Sequence, residues 1–216
     1  AQVGALLDGL RERGLYDNSV IVFTADHGEE FYDHGGWWHG QTLYDEVTGV
    51  PMLARLPGGA GAGVVNEGFI RHIDLAPTFL SIAGLPPAPG MPGQAVFGTD
   101  GSINNANITS VYAHNDFENN SVRSLRTQTE KIIHANPDNA RMRPATEFFD
   151  VSADPAEKNN LTGKSDPREA PLDALLIQMT GLVNSVRTRR PWRRRPRPKW
   201  MKNEKNSWKN WVICSR

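Results

Sequence analysis

The run Val20-Ile21-Val22-Phe23 constrains this chain more than any other stretch. Four consecutive apolar residues, three of them β-branched, fit a strand buried on both faces and fit a surface helix poorly. Such strands occupy central positions in α/β sheets. The run opens directly into Thr24-Ala25-Asp26-His27-Gly28-Glu29-Glu30, so an Asp-His pair falls just past the carboxyl end of a strand. Open α/β sheets place ligands at that edge, where loops converge on a rigid support. Adjacent Asp and His can direct a carboxylate oxygen and an imidazole nitrogen at one divalent cation, with Gly28 letting the backbone turn sharply behind them. The same triplet also arises in turns where Asp caps and His packs, and spacing alone leaves both readings open. His34 and His39 follow, separated by a glycine-rich turn that would fold them back. An imidazole beside a metal-bound anion can hold a charged oxygen or pass a proton to a leaving group. His34 reads as a loop residue, whereas for His39 both readings stay open.

Around this motif the periodicities alternate between helix and strand. Val3, Leu6, Leu7 and Leu10 mark a helix closing at Gly14, and Val50 to Leu56 form a second buried strand ended by Pro57-Gly58. Residues 57–68 are a Gly-rich surface loop. Asp74 or a neighbour caps a helix whose apolar side is Leu75, Phe79, Leu80 and Ile82, so His72 and Asp74 read as packing and capping. Leu85 to Gly101 is a Pro- and Gly-dense linker. Ile108–Ala113, Val122–Arg126, Lys131–His134 and Glu147–Val151 are short strands between turn signals, which predicts a small antiparallel sheet. Leu172, Leu175, Leu176, Met179, Leu182 and Val183 mark a last amphipathic helix. The expected organisation is an α/β domain over residues 1–100, an α+β subdomain over 101–188 and a basic tail over 189–216.

Charge separates the tail from the rest. The formal net charge is +0, yet residues 187–216 carry twelve Lys/Arg against the single acid Glu204. Four of the six tryptophans, Trp192, Trp200, Trp208 and Trp211, lie there too. Arginines interleaved with tryptophan could contact phosphates and stack on bases, or lie on an anionic membrane surface, which makes a polyanion-binding module the rival function. No run reaches the roughly 18 apolar residues of a membrane helix, so the expectation is a soluble chain. One cysteine, Cys214, excludes a disulfide framework and a cysteine-based zinc site. Compartment stays open.

The combination of motifs is far more specific than its parts. NSVIVFTADHGEEFYDHGGWWHGQTLYDEVTGVPMLARLPG (Asn18 to Gly58), then HIDLAPTFLSIAGL (His72 to Leu85), then EFFDVSADPAEKNNLTG (Glu147 to Gly163), closely resemble the sulfatase family of the alkaline phosphatase superfamily, in the family's order. The resemblance implies the C-terminal part of an alkaline-phosphatase-like sheet with flanking helices, followed by the antiparallel subdomain. It also implies a hydrolase acting on a sulfate ester of a small molecule or glycan, with one divalent cation, calcium by family and magnesium or manganese as alternatives. Asp26 matches the family's later metal aspartate and His27 the adjacent ligand position, which is Asn in many members and His in others. His39 falls where the family places a basic residue against the sulfate or leaving-group oxygen. The family's nucleophile, a formylglycine made within Cys/Ser-X-Pro/Ala-X-Arg, has no counterpart in these residues, and neither do its two early metal aspartates. The expectation is therefore a fragment, without independent turnover and with a missing N-terminal half as its natural partner; formylglycine would belong to a full-length parent. Phosphate or phosphonate ester hydrolases and phosphoethanolamine transferases of the same superfamily are the alternatives within enzymes.

Overall fold

The computed structural model describes residues 2–117, 119–139 and 141–189; Cys214, the four tail tryptophans and the basic residues from Arg190 on lie outside the described residues. In chain order the elements are α1 (Gln2–Glu12), β1 (Ile21–Thr24), β2 (Glu30–Phe31), β3 (Trp37–Trp38), α2 (Asp45–Thr48), β4 (Met52–Arg55), α3 (His72–Ile82), β5 (Val111–Phe117), β6 (Asn120–Arg126), β7 (Glu130–Ala135), β8 (Thr146–Asp150) and α4 (Glu169–Arg189). They fall into two compact units.

The first unit holds residues 2–26 and 49–109. Helix α1 stops at Gly14, whose φ of 65° only glycine adopts without cost, and Leu15 N–H reaches back to the Leu10 carbonyl at 2.9 Å. Strands β1 and β4 pair antiparallel, with Ile21 opposite Arg55 and Thr24 opposite Met52. The expectation that both are buried on two faces does not hold. Phe23 and Leu53, directly opposite each other, are 50% and 62% exposed, so the face that carries them is open to solvent.

Helix α3 also departs from its apolar pattern. Its buried residues are Asp74, Pro77 and Thr78, while Phe79 is exposed. Asp74 is the reason. Its carboxylate accepts from the Arg71 backbone N–H at 2.9 Å, from the Arg71 guanidinium, and from Gln94 N–H at 3.0 Å. Thr78 Oγ1 accepts from Val96 N–H at 3.0 Å. Pro77 has no N–H to give the carbonyl of Ile73 four residues earlier. The chain passes that carbonyl at Gly93 (φ 87°), where a Cβ would come within 2.1 Å of the Ile73 oxygen. The helix thus buries a polar side against residues 93–96. A hydrophobicity pattern cannot express that.

The second unit holds residues 27–48 and 110–189. Strands β5 to β8 form an antiparallel meander in sequence order, as the spacing of turn signals predicts. Ile132 stands opposite Leu125 and Phe148. Strand alternation sends these three to one face, where they pack on Leu172 and Leu176 of α4, with Tyr112, Leu161 and Met179 at the margin. Each such burial is worth about 1.5–3 kcal/mol. The intervening residues Lys131, Glu147 and Phe149 face the segment around α2. Tyr44 donates to both oxygens of Glu147 at 2.8–2.9 Å and meets the Phe149 ring edge-on. Lys131, 1% exposed, lies 2.9 Å from both Asp45 and Glu157. Burial opposes its ammonium, but the two carboxylates outweigh that and hold Lys131 above its usual range. Among the described residues no helix is long and apolar enough to cross a membrane.

Candidate functional site

A two-residue ribbon assembles the site. Glu30 pairs with Trp38 and Phe31 with Trp37, and the Tyr32–Gly36 turn closes on Tyr32 N–H to Gly36 carbonyl at 2.8 Å. Continuing that register outward makes Glu29 and His39 the next cross-strand pair. They meet, with His39 Nδ1 2.7 Å from Glu29 Oε1. The His27 ring lies 3.9 Å from the His39 ring, centroid to centroid, and its Nδ1 is 2.9 Å from the Gly28 carbonyl. One donor atom each from His27, Glu29 and His39 falls within 4.8 Å of the others.

The ribbon is held rigidly from below. Buried Glu30 accepts from Thr42 and from Arg141, whose Nη2 stands 3.2 Å away and also reaches the His34 carbonyl at 3.0 Å. The Arg141 guanidinium occupies the space where a Cβ on Gly36 would sit. Gly28 is required for closeness rather than for a sharp turn. Its N–H donates to the Val47 carbonyl at 2.8 Å, and a Cβ there would come within 2.0 Å of the Glu46 oxygen. Trp38, immediately before His39, adopts φ 77° and Tyr32 adopts φ 75°. Bulky residues rarely enter that left-handed region, and such strain clusters where side chains are held for function.

The other candidates separate by role. Asp26 lies two residues past β1, exposed, in the first unit. His34 does fold back on the turn, but onto other partners. Its ring stacks on Tyr44 at 3.6 Å, with Nδ1 2.5 Å from Glu46 and Nε2 3.0 Å from the Glu157 carbonyl. Burial disfavours its charged form, yet Glu46 prevails and raises its pKa above the ordinary histidine value. Tyr44 beneath it is raised as well, by burial and by the Glu147 carboxylate. His72 packs with Nε2 2.8 Å from the Ala25 carbonyl, as the capping-and-packing reading expects. Sequence reasoning missed Glu29, although it stands two residues beyond His27 inside the motif. It missed Arg141 too, since nothing local in residues 139–143 marks a hairpin anchor.

Histidine and carboxylate held together by a strand-linked ribbon are groups that can move a proton or ligate a cation. The sulfatase family profile matches residues 1–85. An N-acetylglucosamine-6-O-sulfatase of Bacteroides thetaiotaomicron is 32% identical over 173 residues, covering 76% of this chain and 30% of that protein. Arylsulfatase K of Bos taurus is 28% identical over 185 residues, 82% of this chain and 33% of that one. A protein solved with its substrate D-glucosamine-2-N,6-O-disulfate superposes with a TM-score of 0.67 at 27% identity, over 88% of this chain and 38% of the other. A phosphonate monoester hydrolase of Agrobacterium radiobacter shares the fold, with a TM-score of 0.64 at 24% identity over 87% and 38% of the two chains. The chain spans about a third of the length of these curated relatives. The α/β, alkaline-phosphatase-like class expected from the motifs holds. The profile spans the Asp-His-Gly strand end and the ribbon, and with these relatives the chain belongs to the sulfatase family.

Proposed function

We propose that this chain carries the part of a sulfate-ester hydrolase that contacts the ester, with a sulfated sugar as the substrate class. The observation that supports it is the ribbon's delivery of His39 beside His27 at the end of the Asp26-His27-Gly28 motif. Glu29 as acceptor makes Nδ1 the protonated nitrogen of His39, an assignment from the hydrogen-bond partner, and leaves Nε2 to meet an ester or sulfate oxygen. At 44% side-chain exposure His39 is open to an incoming ligand. Its role is to hold the anionic oxygen or protonate the departing one. The relatives' own names supply the sugar: N-acetylglucosamine-6-O-sulfatase in one case, a glucosamine disulfate substrate in another.

By motif, Asp26 and His27 are the metal ligands, and a bound dication would supply Lewis-acid polarisation of the sulfate. His27, Glu29 and His39 offer two imidazoles and one carboxylate, and Asp26 adds a second carboxylate by motif, fewer oxygens than the six to eight that calcium takes, so no step runs through calcium. Phosphoryl chemistry is the second reading, on the shared fold of the phosphonate hydrolase alone.

The test is a titration of the ¹⁵N-labelled chain with D-glucosamine 6-sulfate, following imidazole resonances. Saturable shifts at His39 that vanish in Glu29→Gln are expected. Absence of shifts, or tighter response to glucosamine 6-phosphate, would overturn the sulfate reading.

A further inference from the structure

We propose that a cavity of the second unit, between the ribbon turn and residues 143–160, binds a zwitterionic amino sugar sulfate, with the ammonium on Glu147 and the sulfate on Arg143 and Lys158. The cavity measures about 370 Å³, and His34, Tyr44, Arg143, Glu147 and Lys158 are among the residues that line it. That is the small end of ligand pockets, which run to roughly 300–1,000 Å³, and it has room for a substituted hexose rather than an oligosaccharide. None of His27, Glu29 and His39 lines it.

Unpaired charge of both signs faces this space. Glu147 is 5% exposed, and among the described residues its carboxylate accepts only from the Tyr44 hydroxyl, at 2.8 and 2.9 Å. A single hydroxyl proton cannot satisfy two anionic oxygens, and no cationic side chain of the described residues lies within ion-pair distance of them. On the cation side, Arg143 Nη2 donates to the His34 carbonyl at 2.5 Å, its guanidinium 5.2 Å from the Tyr44 ring centroid. Lys158 donates to the Asp33 carbonyl. Neither cation has a carboxylate within ion-pair distance among the described residues, and their acceptors are consecutive carbonyls, which brings both heads to one side of the cavity. The other charges in the wall are already engaged. Glu157 has Lys131 at 2.9 Å, His34 has Glu46 at 2.5 Å, and the exposed Asp33 carboxylate accepts from Phe31 N–H at 3.0 Å. A buried carboxylate without a cation is costly, and an incoming ammonium relieves it. Guanidinium and lysine ammonium are the side chains that hold sulfate-type oxyanions. A ligand of one charge would leave the opposite charge stranded, whereas an amine and a sulfate on one ring meet both.

The choice of an amino sugar rests on the sulfated-sugar reading above, but the charge pattern does not. Two histidines keep the readings apart, since His34 lines this cavity and His39 does not.

The experiment is the ¹⁵N imidazole titration with D-glucosamine 6-sulfate, read at His34 and repeated in a His39→Ala chain. Saturable shifts at His34 are expected in both chains. Affinity should fall about tenfold or more in Arg143→Gln and in Glu147→Gln, with the fold checked by circular dichroism. Changes in the ligand probe the same charges without touching the protein. N-acetylglucosamine 6-sulfate lacks the ammonium and glucosamine lacks the sulfate, so each should bind about tenfold more weakly or worse. Taurine carries both charges without the ring and should also bind more weakly. Silence at His34 would overturn the proposal, as would an affinity unchanged by Arg143→Gln and Glu147→Gln. So would N-acetylglucosamine 6-sulfate or taurine binding as tightly as glucosamine 6-sulfate. Shifts at His39 alone would sink this inference and leave the ester-site reading standing; shifts at His34 alone would do the reverse.

Discussion

Replacing Lys131 by Met removes the only ammonium in a buried cluster of four charges. Lys131 is 2.9 Å from Asp45 Oδ1 and 2.9 Å from Glu157 Oε1. Asp45 keeps Arg126, 3.0 Å away. Among the described residues Glu157 keeps only the Asp45 backbone N–H, 2.6 Å from Oε2, and its side chain is 1% exposed. Breaking a buried pair by removing one partner costs about 3–5 kcal/mol, chiefly the penalty for the charge left behind. For a chain of this length each kcal/mol moves Tm by about 2–4 °C, so a fall of about 6–20 °C is expected. The loss should depend on pH. Burial already pushes the Glu157 carboxyl above its usual range against the pull of Lys131, and without Lys131 it rises further. A raised folded-state pKa contributes stability that is complete below the unfolded value of about 4.3 and is lost as pH rises through the folded value. Urea unfolding followed by circular dichroism should therefore show Lys131→Met less destabilised at pH 5 than at pH 8. Replacing both partners, Lys131→Met with Glu157→Leu, should recover most of the loss. A penalty below about 1 kcal/mol at pH 8, or a larger penalty at pH 5, would refute the reasoning.

Two further outcomes follow from single contacts. Asp74→Ala strips α3 of its cap and leaves the Gln94 N–H without its acceptor, so unfolding free energy should drop by about 2 kcal/mol in urea titrations. His34, raised by Glu46 despite its burial, adds stability that is present below the ordinary imidazole value of about 6.5 and fades as pH climbs through its folded value. The stability difference between the parent and His34→Gln should accordingly be larger at pH 6 than at pH 8.5, measured by chemical denaturation.

The sequence by itself determined the longer elements and the family, while the short β2, β3 and α2 lay in what reads as a loop. The apolar run at 20–23 became β1, the turn-punctuated segments after residue 107 became an antiparallel meander, and Leu172, Leu176 and Met179 marked the inner face of α4. These were legible because strand and helix periods print directly onto the order of apolar residues. Partnership was not legible. Nothing in a one-dimensional pattern says that β1 and β4 would leave Phe23 and Leu53 half exposed, or that α3 would bury Asp74 and Thr78 instead of its apolar side. Burial is set by what packs opposite, and that is decided across long separations in sequence. The same holds for the site. Asp26, His27 and His39 stand out by residue type and motif, but only the register of a two-residue ribbon brings Glu29 to His39, and only residues 111 positions apart, Glu30 and Arg141, hold that ribbon in place.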